Sequence, residues 1–362
     1  MYKEIRPGEV WLDTEGNRIQ AHGGSIIYVD DTYYLYGENK DKTYADSQYW
    51  YNGINCYSSK DLMNWSYEGQ ILEAEEDPLS PLHHSKKCDR PHILYNKKTK
   101  KFVMWIKVMG DEGVEEHDFE ADVKQFMCIA TSDSIKGPFQ FQKKIYPLDM
   151  YAGDFDMYLD PSDDKAYIIF ARPHTEMVIA DLTNDYMDVT GHYTTHFPHP
   201  GPITSREAPC LFKKDYKFYL ITSGTTGYFP NPSELATADL IHGPWKVIGD
   251  PCVDDSYRDS FNAQFGSVFK VPGKELYVAL GDRWMAGTPL EVAARGQMNT
   301  ALANYVWLPV TFKNGIPALE WKESWCPADY PDEEKIDSIK AMSMQMREIG
   351  VSARKRKEEE KD

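Results

Sequence analysis

Phe218-Tyr219-Leu220-Ile221 is a run of aromatic and branched residues, opened by a turn and flanked by polar residues, and the chain repeats its pattern five times. The other copies are Tyr33-Tyr34-Leu35-Tyr36, Phe102-Val103-Met104-Trp105, Tyr167-Ile168-Ile169-Phe170 and Leu276-Tyr277-Val278-Ala279. Successive copies lie about 50 to 70 residues apart, the spacing of radial or stacked β repeats. A second phrase follows the first four copies: Cys56-Tyr57-Ser58-Ser59 to Asn64-Trp65, Ala130-Thr131-Ser132-Asp133 to Gly137-Pro138-Phe139, Ala180-Asp181-Leu182, and Ala238-Asp239-Leu240 to Gly243-Pro244-Trp245. Each repeat therefore reads as one small antiparallel sheet with a tight turn between its outer strands. Five such sheets around an axis predict an all-β, five-bladed β-propeller.

The bulk properties agree. The 362 residues are 41% hydrophobic and 13% aromatic, with 24 Gly and 22 Pro, as expected of a β-rich, turn-rich chain. Its net charge of −17 repels phosphate backbones, so a nucleic-acid partner is not expected. No apolar run approaches the ~18 residues that span a bilayer, so no membrane partner is expected either. The N-terminus carries no apolar signal stretch, and a cytoplasmic location is the expectation. None of the six cysteines forms a C-x-x-C pair, and Cys56, Cys128 and Cys210 read as small core residues.

Residues 1–330 are assigned to the propeller and 331–362 to a short helical, charged tail. In the tail Ile336, Ile339, Met342, Met346 and Ile349 recur at helical spacing. Such a stripe would dock on its own propeller or on a second subunit, so a homo-oligomer through the tail is left open. Two insertions, 73–88 and the acidic 109–123, are expected at the mouth of the funnel.

A propeller's chemistry lies where residues of different blades meet. One register, just before the recurring phrase, is polar in every repeat: Ala21-His22-Gly23-Gly24, Cys88-Asp89-Arg90-Pro91, Gly153-Asp154-Phe155-Asp156, Ser205-Arg206-Glu207-Ala208-Pro209 and Asn262-Ala263-Gln264. Gly281-Asp282-Arg283-Trp284 follows the inner strand of the fifth. Burial of Glu207 in a funnel would raise its carboxyl pKa and hold a proton near neutrality, as a general acid requires. Paired carboxylates in one funnel suggest acid/base work on a neutral, hydroxyl-rich substrate. His22 reads either as a structural histidine or as an axial group facing a cation, and Arg283 either as a carboxylate clamp or as the surface partner of Asp282.

Together with Trp11-Leu12-Asp13-Thr14, Tyr36-Gly37-Glu38, Asp61-Leu62 and Asn64-Trp65, these segments resemble glycoside hydrolase family 43, most closely its exo-β-1,3-galactanase branch. The resemblance spans about residues 8–325 and implies a five-bladed propeller of inverting hydrolases. It implies Glu207 as the acid and Asp154 as the aspartate that tunes it. The family's first-blade Asp base is absent, since Ala21-His22-Gly23-Gly24 takes its place, a feature of the galactanase branch. There the match to the water-positioning group is Gln264, acting through an imidic tautomer or a relay to Asp89. Asp89 itself stands where the branch has Glu. The substrate-binding candidates are His22, Glu38, Arg90, Thr225, Asn231, Arg283 and Trp284. No catalytic metal and no required cofactor are implied, and a structural cation on the propeller axis is left open.

The resulting expectation is an inverting exo-glycoside hydrolase that releases galactose from short β-1,3-linked galacto-oligosaccharides of the arabinogalactan type. The same fold also serves α-L-arabinofuranosidases, β-xylosidases and galactofuranosidases. The missing Asp base keeps a non-catalytic sugar-binding propeller as a rival of another class.

Overall fold

The computed structural model describes residues 1–110, 124–199, 201–293 and 298–333. The acidic part of the second insertion and the tail stripe fall outside these residues. Five antiparallel sheets make up the fold. Blade 1 holds β1 (His22–Val29), β2 (Thr32–Glu38), β3 (Ile54–Ser59) and β4 (Ser66–Leu72). Blade 2 holds β5 (Lys87–Asn96), β6 (Lys101–Met109), β7 (Gln125–Ser132) and β8 (Gln140–Ile145). Blade 3 holds β9 (Phe155–Leu159), β10 (Ala166–Arg172), β11 (Glu176–Leu182) and β12 (Val189–His196). Blade 4 holds β13 (Arg206–Lys214), β14 (Lys217–Gly224), β15 (Glu234–Ala238) and β16 (Lys246–Gly249). Blade 5 holds β18 (Gln264–Lys270), β19 (Tyr277–Arg283), β20 (Asn304–Lys313) and β21 (Ile316–Glu320), with the short β17 (Cys252–Val253) parallel on its rim. Strand β1 packs on β5, β5 on β9, β9 on β13, β13 on β18 and β18 on β1, which closes the ring.

Sequence explains the order within a blade. The second strands are apolar on both faces because each is sandwiched between neighbouring blades; β6, Lys-Phe-Val-Met-Trp-Ile-Lys-Val-Met, is buried from Phe102 to Val108. The fourth strands of blades 2 and 3 are largely polar and exposed, as in Gln-Phe-Gln-Lys-Lys-Ile of β8. Charge on such an edge discourages pairing with other chains. The recurring apolar phrase is thus the second strand of each blade, not the innermost. The innermost strand precedes it and carries the polar register.

Each gap between blades holds one apolar core. Cys56 and Cys128 lie between blades 1 and 2, and Cys210 between blades 4 and 5, all free and buried, as core residues should be. The ring is sealed without strand exchange. The N-terminal segment wedges between blades 1 and 5, where Ile5 exchanges backbone hydrogen bonds with Trp325 (2.8 and 3.0 Å). Trp11 packs edge-on against Trp307 at 4.9 Å, and Trp65 meets the same ring at 5.9 Å.

This seam is where the closed ring is most exposed to mutation. Trp307→Ala removes the ring shared by Trp11, Trp65 and Tyr305, and should cost about 3–5 kcal/mol, as for other buried tryptophans. Urea denaturation beside Tyr193→Ala, an exposed control, measures it. A loss indistinguishable from the control would mean that the seam does not hold the ring.

Candidate active site

Four of the five innermost strands break register near their start. The shift lies between His22 and Ser25, Asp89 and His92, Glu207 and Cys210, and Phe265 and Ser267. A bulge re-aims the side chain beside it. The backbone turns left-handed at the same step in three blades, with φ of 60° at Gly23, 54° at Arg90 and 46° at Ala208. Because first and second strands are antiparallel, the start of one lies beside the end of the next. The pairs are His22 with Glu38, Asp89 with Lys107, Glu207 with Ser223 and Gln264 with Asp282. Eight residues from four blades are thereby brought to one end of the channel.

A cavity of about 320 Å³ occupies that end, lined by Glu38, Asp89, Arg90, Lys107, Asp154, Glu207 and Gln264 together with the aromatic Trp50, Tyr228 and Trp284. A larger cavity of about 860 Å³ opens at the other end, between the continuing residues of the same strands. Asp156, at its floor, is spent on structure: it accepts the Leu211 and Met157 backbone N–H groups (both 2.7 Å) and faces His92 at 3.3 Å. The chemistry belongs to the smaller cavity.

Asp154 is its electrostatic centre. The Arg90 Nε lies 3.0 Å from one oxygen and the Lys107 Nζ 2.7 Å from the other. Burial alone would raise this carboxyl, but the two cations outweigh it and hold the pKa at about 2. Lys107 also reaches Asp89 at 2.9 Å. The Asp89 pKa is raised, by burial first, with Lys107 restraining the rise and Asp154 adding to it. Glu207 has no cation within ion-pair reach among the described residues. Burial, then the negative charge of Asp154, push its pKa up to about 8. Two carboxyl groups in one cavity are thus held in opposite states at neutral pH, the separation by which acid and base roles are assigned.

Gln264 is saturated with hydrogen bonds. Its oxygen accepts from an Arg90 nitrogen (2.5 Å) and the Trp284 indole N–H (3.0 Å). Neither partner can accept, which fixes the orientation of the amide. Its nitrogen donates to Glu207 Oε1 (3.1 Å) and Ser223 Oγ (3.0 Å). That bond leaves the Glu207 proton for Oε2. An imidic tautomer would put a proton on the Gln264 oxygen, where both neighbours are already donors, so this environment disfavours it. An amide touching Glu207 also stands on the same side of the cavity as the group it was expected to face across a substrate.

The remaining predicted residues divide. Glu38, Arg90, Thr225 and Trp284 line the cavity. Glu38 pairs with the buried Lys40 at 2.6 Å, and burial raises it to about 7. The Thr225 hydroxyl is shared with Ser205 and the Ile203 N–H (both 2.8 Å), holding the loop ahead of Glu207. His22, Asn231 and Arg283 do not line the cavity. His22 is fully buried, bonded to Asp282 at 2.8 Å and stacked on Tyr305 at 4.7 Å, which is its structural reading. Asn231 closes its own loop through Gly224 (2.7 and 3.0 Å) and Thr226 (2.6 Å). Among the described residues Arg283 clamps no carboxylate and does not pair with Asp282; it donates to the carbonyls of Phe261 and Asn262, with its guanidinium 5.7 Å from the Trp321 ring.

Sequence reasoning missed Lys107, Trp50 and Tyr228. A signal existed for Lys107, a lone cation inside an apolar second strand. Trp50 and Tyr228 sit in loops, and their stacking at 6.1 Å has no sequence trace.

The chain matches the family model for Glycosyl hydrolases family 43 over residues 18–286. A solved structure of a family 43 β-1,3-galactosidase superposes with a TM-score of 0.76 at 32% identity, covering 90% of this chain and 64% of that one. An exo-β-1,3-galactanase from Clostridium thermocellum gives 0.75 at 28% identity, covering 92% of this chain and 69% of that one. Among curated proteins, a xylan 1,3-beta-xylosidase from Vibrio sp. is 24% identical over 233 residues, which is 62% of this chain and 40% of the relative. The chain thus spans about half or less of the length of the curated relatives it matches.

A raised carboxyl pKa costs stability where the unfolded chain is ionised. Glu207 binds its proton more tightly folded than unfolded, so its contribution is fully present below the unfolded pKa of about 4.3. It is lost progressively as pH climbs to the folded value of about 8. Glu207→Gln escapes that loss. The melting temperature of the variant relative to the parent should therefore rise from pH 4.5 to pH 8; a constant difference would mean that Glu207 titrates normally.

Proposed function

The chain belongs to glycosyl hydrolase family 43, and on that premise we propose that it is an inverting exo-glycosidase releasing terminal galactose from β-1,3-linked galacto-oligosaccharides. The observation that carries the reading is a buried Glu207, its carboxyl pushed up by burial and by the charge of Asp154, sharing a small, aromatic-lined cavity with that cation-paired Asp154. At about 320 Å³ the cavity is near the lower end of ligand pockets, ~300–1,000 Å³, and suits one terminal sugar better than a polymer lying through a cleft. Trp50, Tyr228 and Trp284 offer apolar faces to a pyranose ring, and Glu38 offers a carboxyl to its hydroxyls. Galactose and the β-1,3 linkage rest on the likeness to the galactosidase and the galactanase.

In this reading Glu207 gives its Oε2 proton to the glycosidic oxygen as the C1–O bond breaks. Water attacks C1 from the opposite face, and its proton passes to a base. We assign that base to Asp89. It is a pocket carboxylate with no bond to Gln264 or Glu207 among the described contacts, and its basicity is raised by burial while Lys107, 2.9 Å away, restrains the rise. Gln264 is then a positioning residue, which holds the acid through Nε2 and is itself held by Arg90 and Trp284. Asp154 stays charged throughout and supports the positive charge that grows at the anomeric carbon.

Three measurements separate the roles. Glu207→Gln should lose about 10²–10⁴-fold on β-1,3-galactobiose, the range of general acid catalysis, and far less on an activated nitrophenyl galactoside. Asp89→Ala should be inactive and recover with azide, giving a glycosyl azide of inverted configuration, while Gln264→Ala keeps measurable turnover with an altered pH profile. An inactive Gln264→Ala beside an active Asp89→Ala would move the base to Gln264. Preference for nitrophenyl xyloside or arabinofuranoside would transfer the substrate to those sugars. Calorimetric galactose binding without turnover, unchanged in Glu207→Gln, would mark a binding propeller.

A further inference from the structure

Far along the sheets from the funnel, blades 3 and 4 meet at a cluster of two histidines and an aspartate. Asp181 lies on β11, His192 on the outermost strand β12, and His242 in the turn between β15 and β16 of the next blade. One ligand atom from each lies within 4.8 Å of the others. The β11–β12 pairing shifts register between Ala180 and Leu182, and this bulge brings His192 over Asp181. The Asp181 Oδ1 stands 3.4 Å from His192 Nδ1 and 2.6 Å from His242 Nε2.

We propose that Asp181, His192 and His242 form a binding site for a divalent transition ion of the zinc class, which staples blade 3 to blade 4. Two imidazoles and a carboxylate are a donor set that suits such ions and not magnesium or calcium, which prefer oxygen alone. Tetrahedral zinc holds these donors at ~2.0–2.2 Å, which sets them roughly 3.3 Å apart. The Asp181–His192 spacing of 3.4 Å already meets this, and the 2.6 Å Asp181–His242 contact has only to open slightly. Water fills the fourth position, since His192 is exposed.

Thr194 supplies the outer support such a site needs. Its hydroxyl lies 2.9 Å from His242 Nδ1 and 2.9 Å from His196 Nε2. One hydroxyl proton cannot serve both nitrogens, so at least one of the rings donates to Thr194. With the ion bound, His196 takes the hydroxyl proton and His242 donates from Nδ1, so that Nε2 turns a bare lone pair to the ion in place of the proton that, without the ion, it donates to Asp181. That is the tautomer a metal ligand adopts, fixed by its second nitrogen. The staple also falls where the ring has least to lose: the buried core between blades 3 and 4 is Ile169, Ile179, Leu211, Phe218, Leu220 and Ile241, the smallest cluster among the described residues.

The test uses the full, tag-free chain after treatment with a chelator. Zinc chloride titrated in a calorimeter should bind at one ion per chain in the micromolar range and raise the melting temperature by a few degrees, since a ligand of the native state stabilises by mass action. His192→Ala removes only an exposed ring, so its fold is safe. It should abolish both the heat and the shift, and His242→Ala should do the same. Thr194→Val should weaken binding several-fold without abolishing it. Absence of zinc binding by the parent, or stoichiometric binding that survives His192→Ala, overturns the proposal. Magnesium chloride in place of zinc should give neither heat nor shift; equal binding of magnesium would equally overturn it.

Discussion

Asp154 keeps its charge at the centre of the funnel because Arg90 and Lys107 both reach it, and the rest of the site follows from that contact. A buried carboxylate without partners would neutralise itself. Here two cations prevent it, and the retained charge helps to keep the neighbouring Glu207 protonated. Arg90 carries the arrangement across blades. It comes from blade 2, pairs with Asp154 ahead of blade 3 and holds the Gln264 amide of blade 5, while its backbone N–H reaches Glu38 of blade 1 at 3.2 Å.

That reach is made possible by a strained backbone. Arg90 has φ of 54°, a conformation that costs a branched or long residue of order 1–3 kcal/mol and persists only where surroundings over-determine it. Its guanidinium packs over Gly266, where a Cβ would collide with it. The bulges at the starts of β1, β5, β13 and β18 belong to the same economy of shape. They spoil the ladder for one step and turn a strand residue into a funnel residue.

The repeat, the number of blades and the polar register could all be read from the chain, because an apolar second strand between two neighbouring blades leaves a continuous Tyr, Phe, Val and Ile signature. Glu207, Asp154, Asp89 and Gln264 were legible for the same reason: each precedes such a strand. Pairwise competition was not legible. His22 stood in the right register, yet Asp282, 260 residues away, takes its Nδ1 and the ring does not line the cavity. Arg283 and Asn231 were likewise captured by carbonyls and amides of loops whose shape no local pattern encodes. Lys107 was hidden by its apolar neighbours, although the antiparallel pairing of strand start with strand end places it opposite Asp89. Sequence also suggested Gln264 as the group facing the acid across the substrate, whereas the donors around its oxygen turn its nitrogen onto the acid itself.

The central claim is that the Asp154 charge, fixed by Arg90 and Lys107, adds to burial in holding a proton on Glu207. It is measured most directly by carbon-13 NMR titration of the Glu207 carboxyl in the parent and in Asp154→Asn. The account predicts a midpoint near pH 8 in the parent and a lower one in the variant, where the repelling charge is gone and Arg90 and Lys107 are freed to attract the carboxylate. A Glu207 midpoint in the ordinary glutamate range, about 4.3, or one that Asp154→Asn leaves in place, would contradict it.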